Sequence, residues 1–164
     1  MKLPALAVRI GSLAAMLICA CGIVVAEEPG YEPLSAFPRS PLSIQGDKAR
    51  HDFTVWVADT PSRRGQGLMF VKSLPPATGM LFVFAEPQGV SMWMKNTLIP
   101  LDMLFVAANG QVIHIAANAE PESLATISSM GLVTGVIELA GGEAKRLGIH
   151  TGDRIIHPAF SKDP

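Results

Sequence analysis

Residues 91–106 have the sequence SMWMKNTLIPLDMLFV, in which a short polar elbow separates two apolar runs. The elbow consists of Lys95, Asn96 and Thr97. Short apolar runs bounded by polar turn residues are typical of buried β-strands. Polar side chains enclosed by two such strands serve either the fold or a ligand, so the elbow is the first candidate for a functional surface.

A hairpin is predicted directly after the elbow, where residues 101–107 and 112–116 flank Asn109 and Gly110. Asn-Gly between two strands is the strongest short hairpin signal, because the central residues of the favoured tight turn take positive φ values. Pairing outward from this turn brings Asp102 to the open end of the hairpin, beside the elbow. The predicted cross-strand pairs are Val106 with Ile113, Leu104 with Ile115 and Asp102 with Ala117.

The rest of the chain alternates short apolar strands with turns and two short helical segments. Thr60 and Pro61 predict a helix that ends at Gly67, because threonine caps helices and proline fits their first turn. A second helix is predicted within residues 140–147, closed by Gly148. The predicted strands cover residues 53–58, 80–84, 90–94 and 133–139, with a turn at 86–89 and a last strand that ends at residue 156.

Strands at short spacing with only two short helices predict a mostly β fold. We expect a β-rich α+β domain, a small barrel or sandwich of antiparallel or mixed strands. This single domain is predicted to cover residues 51–158, a length usual for one core. Residues 27–50 contain four prolines and predict an extended arm laid on the domain or partly disordered, and residues 159–164 are expected to form a frayed tail.

The first 26 residues have the composition of an export signal. Lys2 and Arg9 precede an apolar run, and Ala26 ends a small-residue cleavage site. The run is shorter than the roughly 20 residues that span a bilayer, so we expect cleavage after Ala26 and not anchoring. The sequence therefore predicts an exported protein, periplasmic or secreted. Lipidation at Cys21 is an alternative that the apolar residues after it oppose.

The chain that remains after cleavage has no cysteine and a small negative net charge. Both cysteines, Cys19 and Cys21, lie in the leader, so packing alone has to hold the domain together. Removing Lys2 and Arg9 from the 13 basic residues leaves 11 against 14 acidic ones, a net charge of about −3 at neutral pH. This balance argues against a nucleic-acid partner, and no membrane span is expected after signal removal.

Several short motifs are distributed along the predicted domain. They are Arg64 with Gly67-Leu68-Met69, the run GMLFVF at residues 79–84, Trp93-Met94-Lys95-Asn96-Thr97 with Pro100-Leu101-Asp102, Glu138-Leu139, and Gly148-Ile149 with Gly152-Asp153. In combination these motifs resemble the domain-of-unknown-function family 192 over residues 54–156. The resemblance implies a mostly β fold. It implies no reaction, because the activity of that family is unassigned.

Polar residues embedded in apolar segments are the candidate binding site. We predict that Lys95 and Arg64 hold an anionic group while Asn96 and Asp102 fix its orientation. The function that follows is binding of a small anionic ligand or a peptide segment at the face around Lys95. The alternative is a structural network in which Asn96 and Asp102 bond backbone amides. The predicted ligand-binding residues are Lys95, Arg64, Asn96, Asp102, Glu138 and Trp93.

Two rival functions belong to other classes. Met92 and Met94 share one face of a predicted strand beside Trp93, and soft thioethers suit Cu(I) in an exported protein. Asp102 and Glu138 would form the carboxylate pair of a hydrolase if the fold brought them together. The sequence contains no ligand set of three and no nucleophile, zinc or phosphate-loop motif, so no metal, cofactor or catalytic residue is predicted.

Overall fold

Seven strands form one mixed sheet that curls into a half-barrel, with two short α-helices in its connections. The computed structural model describes residues 30–160, and the described residues from Tyr31 onward form one compact unit. The strands are β1 (Arg39–Gln45), β2 (Arg50–Ala58), β3 (Thr78–Met92), β4 (Leu101–Val106), β5 (Val112–Ala119), β6 (Ile127–Ala140) and β7 (Arg154–Ile156), and the helices are α1 (Pro61–Gln66) and α2 (Glu143–Leu147).

The strand order across the sheet is β5-β4-β6-β3-β2-β1-β7. Strands β2 and β3 pair in parallel, and the other neighbours pair antiparallel. A bridge between Gln111 and Arg154 joins the two ends of the sheet beside the β4–β5 turn. The predicted mostly β class, with mixed strands and two short helices, is therefore confirmed. Among the described residues, no helix has the length and apolar character needed to cross a membrane.

The turn predicted at residues 86–89 is wrong, because β3 continues through it as one long strand. Both halves of β3 pair with β6: Val83 lies opposite Gly135, and Gln88 lies opposite Val133. Residues 84–87 therefore form a four-residue bulge opposite a single residue of β6. Pro87 has no N–H for a sheet ladder, and a bulge is where a strand tolerates that loss.

The predicted arm and tail contain packed residues. Residues 39–45 form β1, in which Leu42 and Ile44 are buried in the core. Pro41 fits this strand because β7 pairs with β1 only from Ser43 onward, which leaves the proline at an unpaired edge. Phe160, in the predicted tail, is buried against the backbone of β6. The predicted leader, residues 1–26, and residues 161–164 of the tail lie outside the described residues.

The predicted hairpin is present as β4 and β5, with two shifts of register. Leu104 pairs with Ile115 as predicted, but Val106 pairs with Val112 and not with Ile113. The reason is the turn: Gly110 has a φ of 83° whereas Asn109 does not take a positive φ, so a glycine bulge adds one residue to the loop. The second shift places both Ala117 and Asn118 opposite Asp102.

Apolar side chains cover both faces of the sheet. Every residue of β4 is buried; Leu104 and Val106 enter one core cluster, whereas Met103 and Phe105 enter the other. Paired residues of neighbouring strands share a face, so these clusters also assign the faces of β6. Because β6 is paired with β3 on one side and β4 on the other, its central side chains all point into packed surroundings.

Asp102 is a structural residue and not part of a binding site. It is completely buried, and its Oδ1 accepts hydrogen bonds from the backbone N–H groups of Asn118 (2.8 Å) and Gly142 (3.0 Å). Its Oδ2 accepts one from the N–H of Ala144 (2.8 Å). One carboxyl group therefore satisfies the β5 bulge and the start of α2 together. The structural alternative holds for this residue.

Replacing Asp102 by Asn is predicted to lower the free energy of unfolding by about 2 to 4 kcal/mol. The amide keeps one acceptor oxygen but presents N–H groups to backbone donors, and each buried donor left unpaired costs about 1 to 3 kcal/mol. Urea unfolding measures the loss, with Asp47→Asn, in the exposed β1–β2 turn, as the control. A loss below about 0.5 kcal/mol for Asp102→Asn contradicts the structural role.

Candidate functional site

Helix α1 begins and ends as the sequence predicts. The Oγ1 of Thr60 accepts a hydrogen bond from the N–H of Arg63 (3.2 Å), and Pro61 occupies the first turn. Gly67 ends the helix with a φ of 53° and a ψ of −138°, a backbone conformation that favours glycine. A Cβ at this position would lie 3.1 Å from Cζ of Phe82. The glycine therefore lets the chain pass close over the sheet after α1.

The polar elbow is tied to the segment that follows α1. The N–H of Phe70 donates to the carbonyl oxygen of Asn96 (2.9 Å), and the Nδ2 of Asn96 lies 3.8 Å from the Sδ of Met69. Asn96 has a φ of 56°, which asparagine tolerates better than most residues. Asn96 therefore holds the elbow in place and is not among the residues that line the pocket described next.

A pocket lies between the elbow, the segment after α1 and the sheet, and we name it the Glu138 pocket after its buried acid. Its volume is about 320 Å³, at the lower end of the range of roughly 300 to 1,000 Å³ for ligand sites. The lining residues are Arg64, Gly65, Gln66, Gly67, Leu68, Met69, Phe82, Ser91, Met92, Trp93, Lys95, Thr97 and Glu138.

Glu138 is the buried acid of this pocket. Glu138 is only 4% exposed. It lies in β6 between Met80 of β3 and Met103 of β4, which are both fully buried. Its Oε2 is buried and has no hydrogen-bond partner within residues 30–160. Burial among apolar neighbours disfavours the charged form and raises the pKa of Glu138 to about 8. At neutral pH the carboxyl is therefore mainly protonated and can donate a hydrogen bond.

Two cations stand at the pocket. The Nη1 of Arg64 donates to the carbonyl oxygens of Asp59 (2.8 Å) and Val83 (3.0 Å), and the guanidinium lies 5.4 Å from the ring centroid of Phe84. Lys95 is exposed, and its Nζ lies 5.3 Å from the ring centroid of Trp93. Within residues 30–160 neither cation forms an ion pair. No acidic side chain of the described chain therefore pairs with either positive charge, and Lys95 is the more exposed of the two.

The structure brings four of the six predicted site residues together: Lys95, Arg64, Trp93 and Glu138 line one pocket. It separates Asp102 from them. Asp102 pairs with Leu139 and Met103 pairs with Glu138, so the two acids lie on opposite faces of the sheet. The carboxylate pair of the hydrolase alternative is therefore wrong.

The Cu(I) ligands predicted at the end of β3 also diverge. Met94 is fully buried in a core cluster, whereas Met92 and Trp93 line the pocket. Met69 enters the same pocket from the segment after α1, but the cationic groups of Arg64 and Lys95 oppose a metal cation there. Among the described residues, no group of three or more histidine, cysteine, aspartate or glutamate side chains is arranged to hold a metal ion.

The pocket also contains residues that the sequence analysis did not assign to a site. Gly67, Leu68 and Met69 form its wall after α1, and Phe82 lies beneath them. The signal was present as a helix-ending glycine followed at once by apolar residues. The parallel pairing of β2 and β3, between which α1 lies in the chain, could not be predicted from the sequence.

These features define a small β half-barrel domain with a buried carboxyl at a cation-lined pocket. The chain belongs to the DUF192 family: the family model, described as "Uncharacterized ACR", matches residues 42–157. The resemblance expected from the sequence motifs is therefore confirmed. No curated protein matches the chain.

Two solved structures share the fold at substantial sequence identity. A protein of Sinorhizobium meliloti 1021, described provisionally as a transcription regulator, is 44% identical with a TM-score of 0.73; the alignment covers 75% of this chain and 96% of that one. A protein of unknown function from Novosphingobium aromaticivorans DSM 12444 is 37% identical with a TM-score of 0.74, covering 80% of this chain and 94% of that one. Both therefore support the fold and leave the activity open.

Replacing Glu138 by Gln is predicted to remove a pH dependence of stability. The pKa of Glu138 is about 8 in the folded protein against an ordinary value of 4.5, so between these values the unfolded chain loses a proton that the folded protein keeps. The stability that the protonated group contributes is therefore complete below pH 4.5 and is lost as pH rises through 8. Between pH 5 and pH 8.5, wild type should lose about 4 kcal/mol relative to Glu138→Gln, at about 1.4 kcal/mol per pKa unit.

Urea unfolding of both proteins at the two pH values measures this difference. Glu86→Gln, on the exposed bulge of β3, controls for the loss of one acid. A constant difference between wild type and Glu138→Gln across this range would mean that Glu138 is ionised in the folded protein.

Proposed function

We propose that this domain binds a small ligand that carries a negatively charged group, in the Glu138 pocket. The observation that carries the proposal is the buried Oε2 of Glu138, which lacks a partner within residues 30–160 while its side chain borders an open pocket. A buried polar atom without a partner costs about 1 to 3 kcal/mol. Oε2 lies beneath the pocket wall, 4.0 Å from the position of a Cβ on Gly67, so a ligand recovers this free energy by displacing part of that wall.

The charge of the ligand follows from the groups around it. Arg64 and Lys95 provide positive charge with no competing acid paired to either within the described chain. Glu138 adds little opposing charge at neutral pH, because a pKa of about 8 keeps most of it protonated. A protonated carboxyl donates its O–H to an acceptor, as buried acids do in other apolar sites. Arg64, Lys95 and Glu138, which all carry hydrogen-bond donors at neutral pH, are thus lining residues of the same pocket.

The body of the ligand is apolar. Leu68, Phe82 and Met92 are apolar residues of the pocket lining, and Leu68 and Phe82 are almost completely buried. Small-molecule sites combine apolar residues, which supply affinity, with polar groups that set orientation, and the lining of this pocket contains both. An aromatic or branched aliphatic carboxylate fits this description.

The proposed ligand is not a nucleic acid. The provisional regulator description belongs to the S. meliloti protein alone. This chain has 13 basic residues against 14 acidic ones, whereas proteins that bind the phosphate backbone concentrate positive charge. The cations that we assign to the ligand, Arg64 and Lys95, line one small pocket and not an extended surface.

Benzoate and its neutral counterpart benzamide test the proposal. NMR titration followed at the indole N–H of Trp93 should show saturable binding of benzoate and at least tenfold weaker binding of benzamide. Lys95→Met should weaken benzoate about tenfold, or about 1.4 kcal/mol, because an exposed charged hydrogen bond is removed. Its free energy of unfolding should change by less than about 0.5 kcal/mol, as expected for an exposed side chain.

Lys48→Met is the matched control, because Lys48 is an exposed lysine of the β1–β2 turn and does not line the pocket. It should bind benzoate as wild type does. Equal affinities for benzoate and benzamide, or no saturable response to either, would contradict anion binding. A large loss of stability in Lys95→Met would assign that residue to the fold.

A further inference from the structure

We propose that the charged group recognised in the Glu138 pocket is the terminal carboxylate of a polypeptide, whose preceding residues lie on an apolar surface beside the pocket. This inference rests on the proposed function and names its ligand class. The surface, which we call the apron, consists of exposed apolar side chains on the segments next to the pocket. They are Tyr31 (47% exposed), Phe70 (48%), Trp93 (50%) and Leu98 (41%).

The backbone at Phe70 is the first observation that supports a contact surface. Phe70 has a φ of 63°, a left-handed conformation that is rare for a bulky residue. Its N–H is held by the carbonyl of Asn96, and its ring packs edge-on against Tyr31 with centroids 4.8 Å apart. Ala77, Glu122 and Met130 also have a positive φ, but Phe70 is the only aromatic residue among the described non-glycine residues that do. An exposed aromatic kept in a strained conformation indicates a surface that contacts something.

The size of the pocket is the second observation. A volume of about 320 Å³ is near the lower limit for ligand sites, so the pocket takes the end of a chain and not a long segment. Tyr31, Phe70 and Leu98 of the apron are not lining residues of the pocket, so a ligand as small as benzoate leaves them bare. Aromatic side chains are enriched in the centres of protein interfaces, where they supply contact area at a small loss of conformational freedom. Trp93 belongs to both pocket and apron.

The charges decide which end of a polypeptide fits. Arg64 and Lys95 attract a carboxylate and repel a terminal amine, and an internal segment brings no free carboxylate unless it contains an acidic side chain. The protonated Glu138 supplies an O–H at the buried end of the pocket for a second acceptor. Capture of a terminal carboxylate by converging donors is a known form of peptide recognition. The charges of the lining residues therefore favour the carboxyl terminus.

Three probes separate this inference from the proposed function: N-acetyl-leucine, an N-acetylated octapeptide Gly-Ser-Gly-Ser-Ala-Val-Ala-Leu with a free carboxylate, and the same octapeptide with a terminal carboxamide. In calorimetric titrations, the protein should bind the octapeptide acid at least tenfold more tightly than N-acetyl-leucine, because only the longer chain reaches the apron. The carboxamide should bind at least tenfold more weakly than the acid.

Phe70→Gly tests the apron itself. Glycine tolerates the φ of 63°, so this variant should fold at least as stably as wild type while the ratio of octapeptide to N-acetyl-leucine affinity falls towards one. Leu132→Ser, which removes an apolar side chain that is 65% exposed on β6, is the control and should keep the ratio.

The outcomes are distinguishable. Equal affinities for the octapeptide acid and N-acetyl-leucine, with both bound, overturn the polypeptide ligand but leave anion binding intact. A carboxamide bound as tightly as the acid overturns recognition of a terminal carboxylate. Loss of all binding, including that of benzoate, overturns the proposed function together with this inference. An unchanged affinity ratio in Phe70→Gly removes the apron from the binding surface.

Discussion

Strand β6 is hydrogen-bonded on both sides, to β3 and to β4, and this constraint determines what its acidic residue does. Side chains of a doubly paired strand alternate between two packed faces, so Glu138 cannot reach solvent along an edge of the sheet. It stands between two buried methionines and takes its protonated form, with a pKa near 8. The pocket formed by α1 and the elbow is therefore the route by which this carboxyl meets anything polar.

The parts of the fold decided within a few residues could be predicted from the sequence. Thr60 and Gly67 delimit α1 as expected, and the hairpin forms around Asn109 and Gly110. The turn predicted at residues 86–89 is wrong because its outcome depends on a distant strand: β6 is long enough to pair with both halves of β3, which converts the turn into a bulge. Proline and glycine mark an irregularity in both cases, and only the partner strand distinguishes them.

The roles of single residues in the candidate site also depend on strand pairing that the sequence does not reveal. Asp102 and Glu138 have one signature in the sequence, an isolated acid within an apolar strand, yet Asp102 accepts three backbone N–H groups while Oε2 of Glu138 has no partner in the described chain. A shift of one position in a strand reverses the face that a side chain occupies, so only the register separates a structural acid from one that is available to a ligand. That Lys95 lines a pocket could be predicted, because a long cation next to an apolar strand rarely serves packing alone, whereas Arg64 lies in the polar helix α1.

The central claim is that Glu138 is a protonated carboxyl at neutral pH and a hydrogen-bond donor in the lining of the pocket. Its most direct test is a carbon-13 NMR titration of the side-chain carboxyl of Glu138, assigned by the resonance that disappears in Glu138→Gln. The account predicts a midpoint near pH 8 in the absence of ligand. A midpoint near the ordinary value of 4.5 would contradict it, because Glu138 would then be ionised at neutral pH and would repel the anions that we propose it binds.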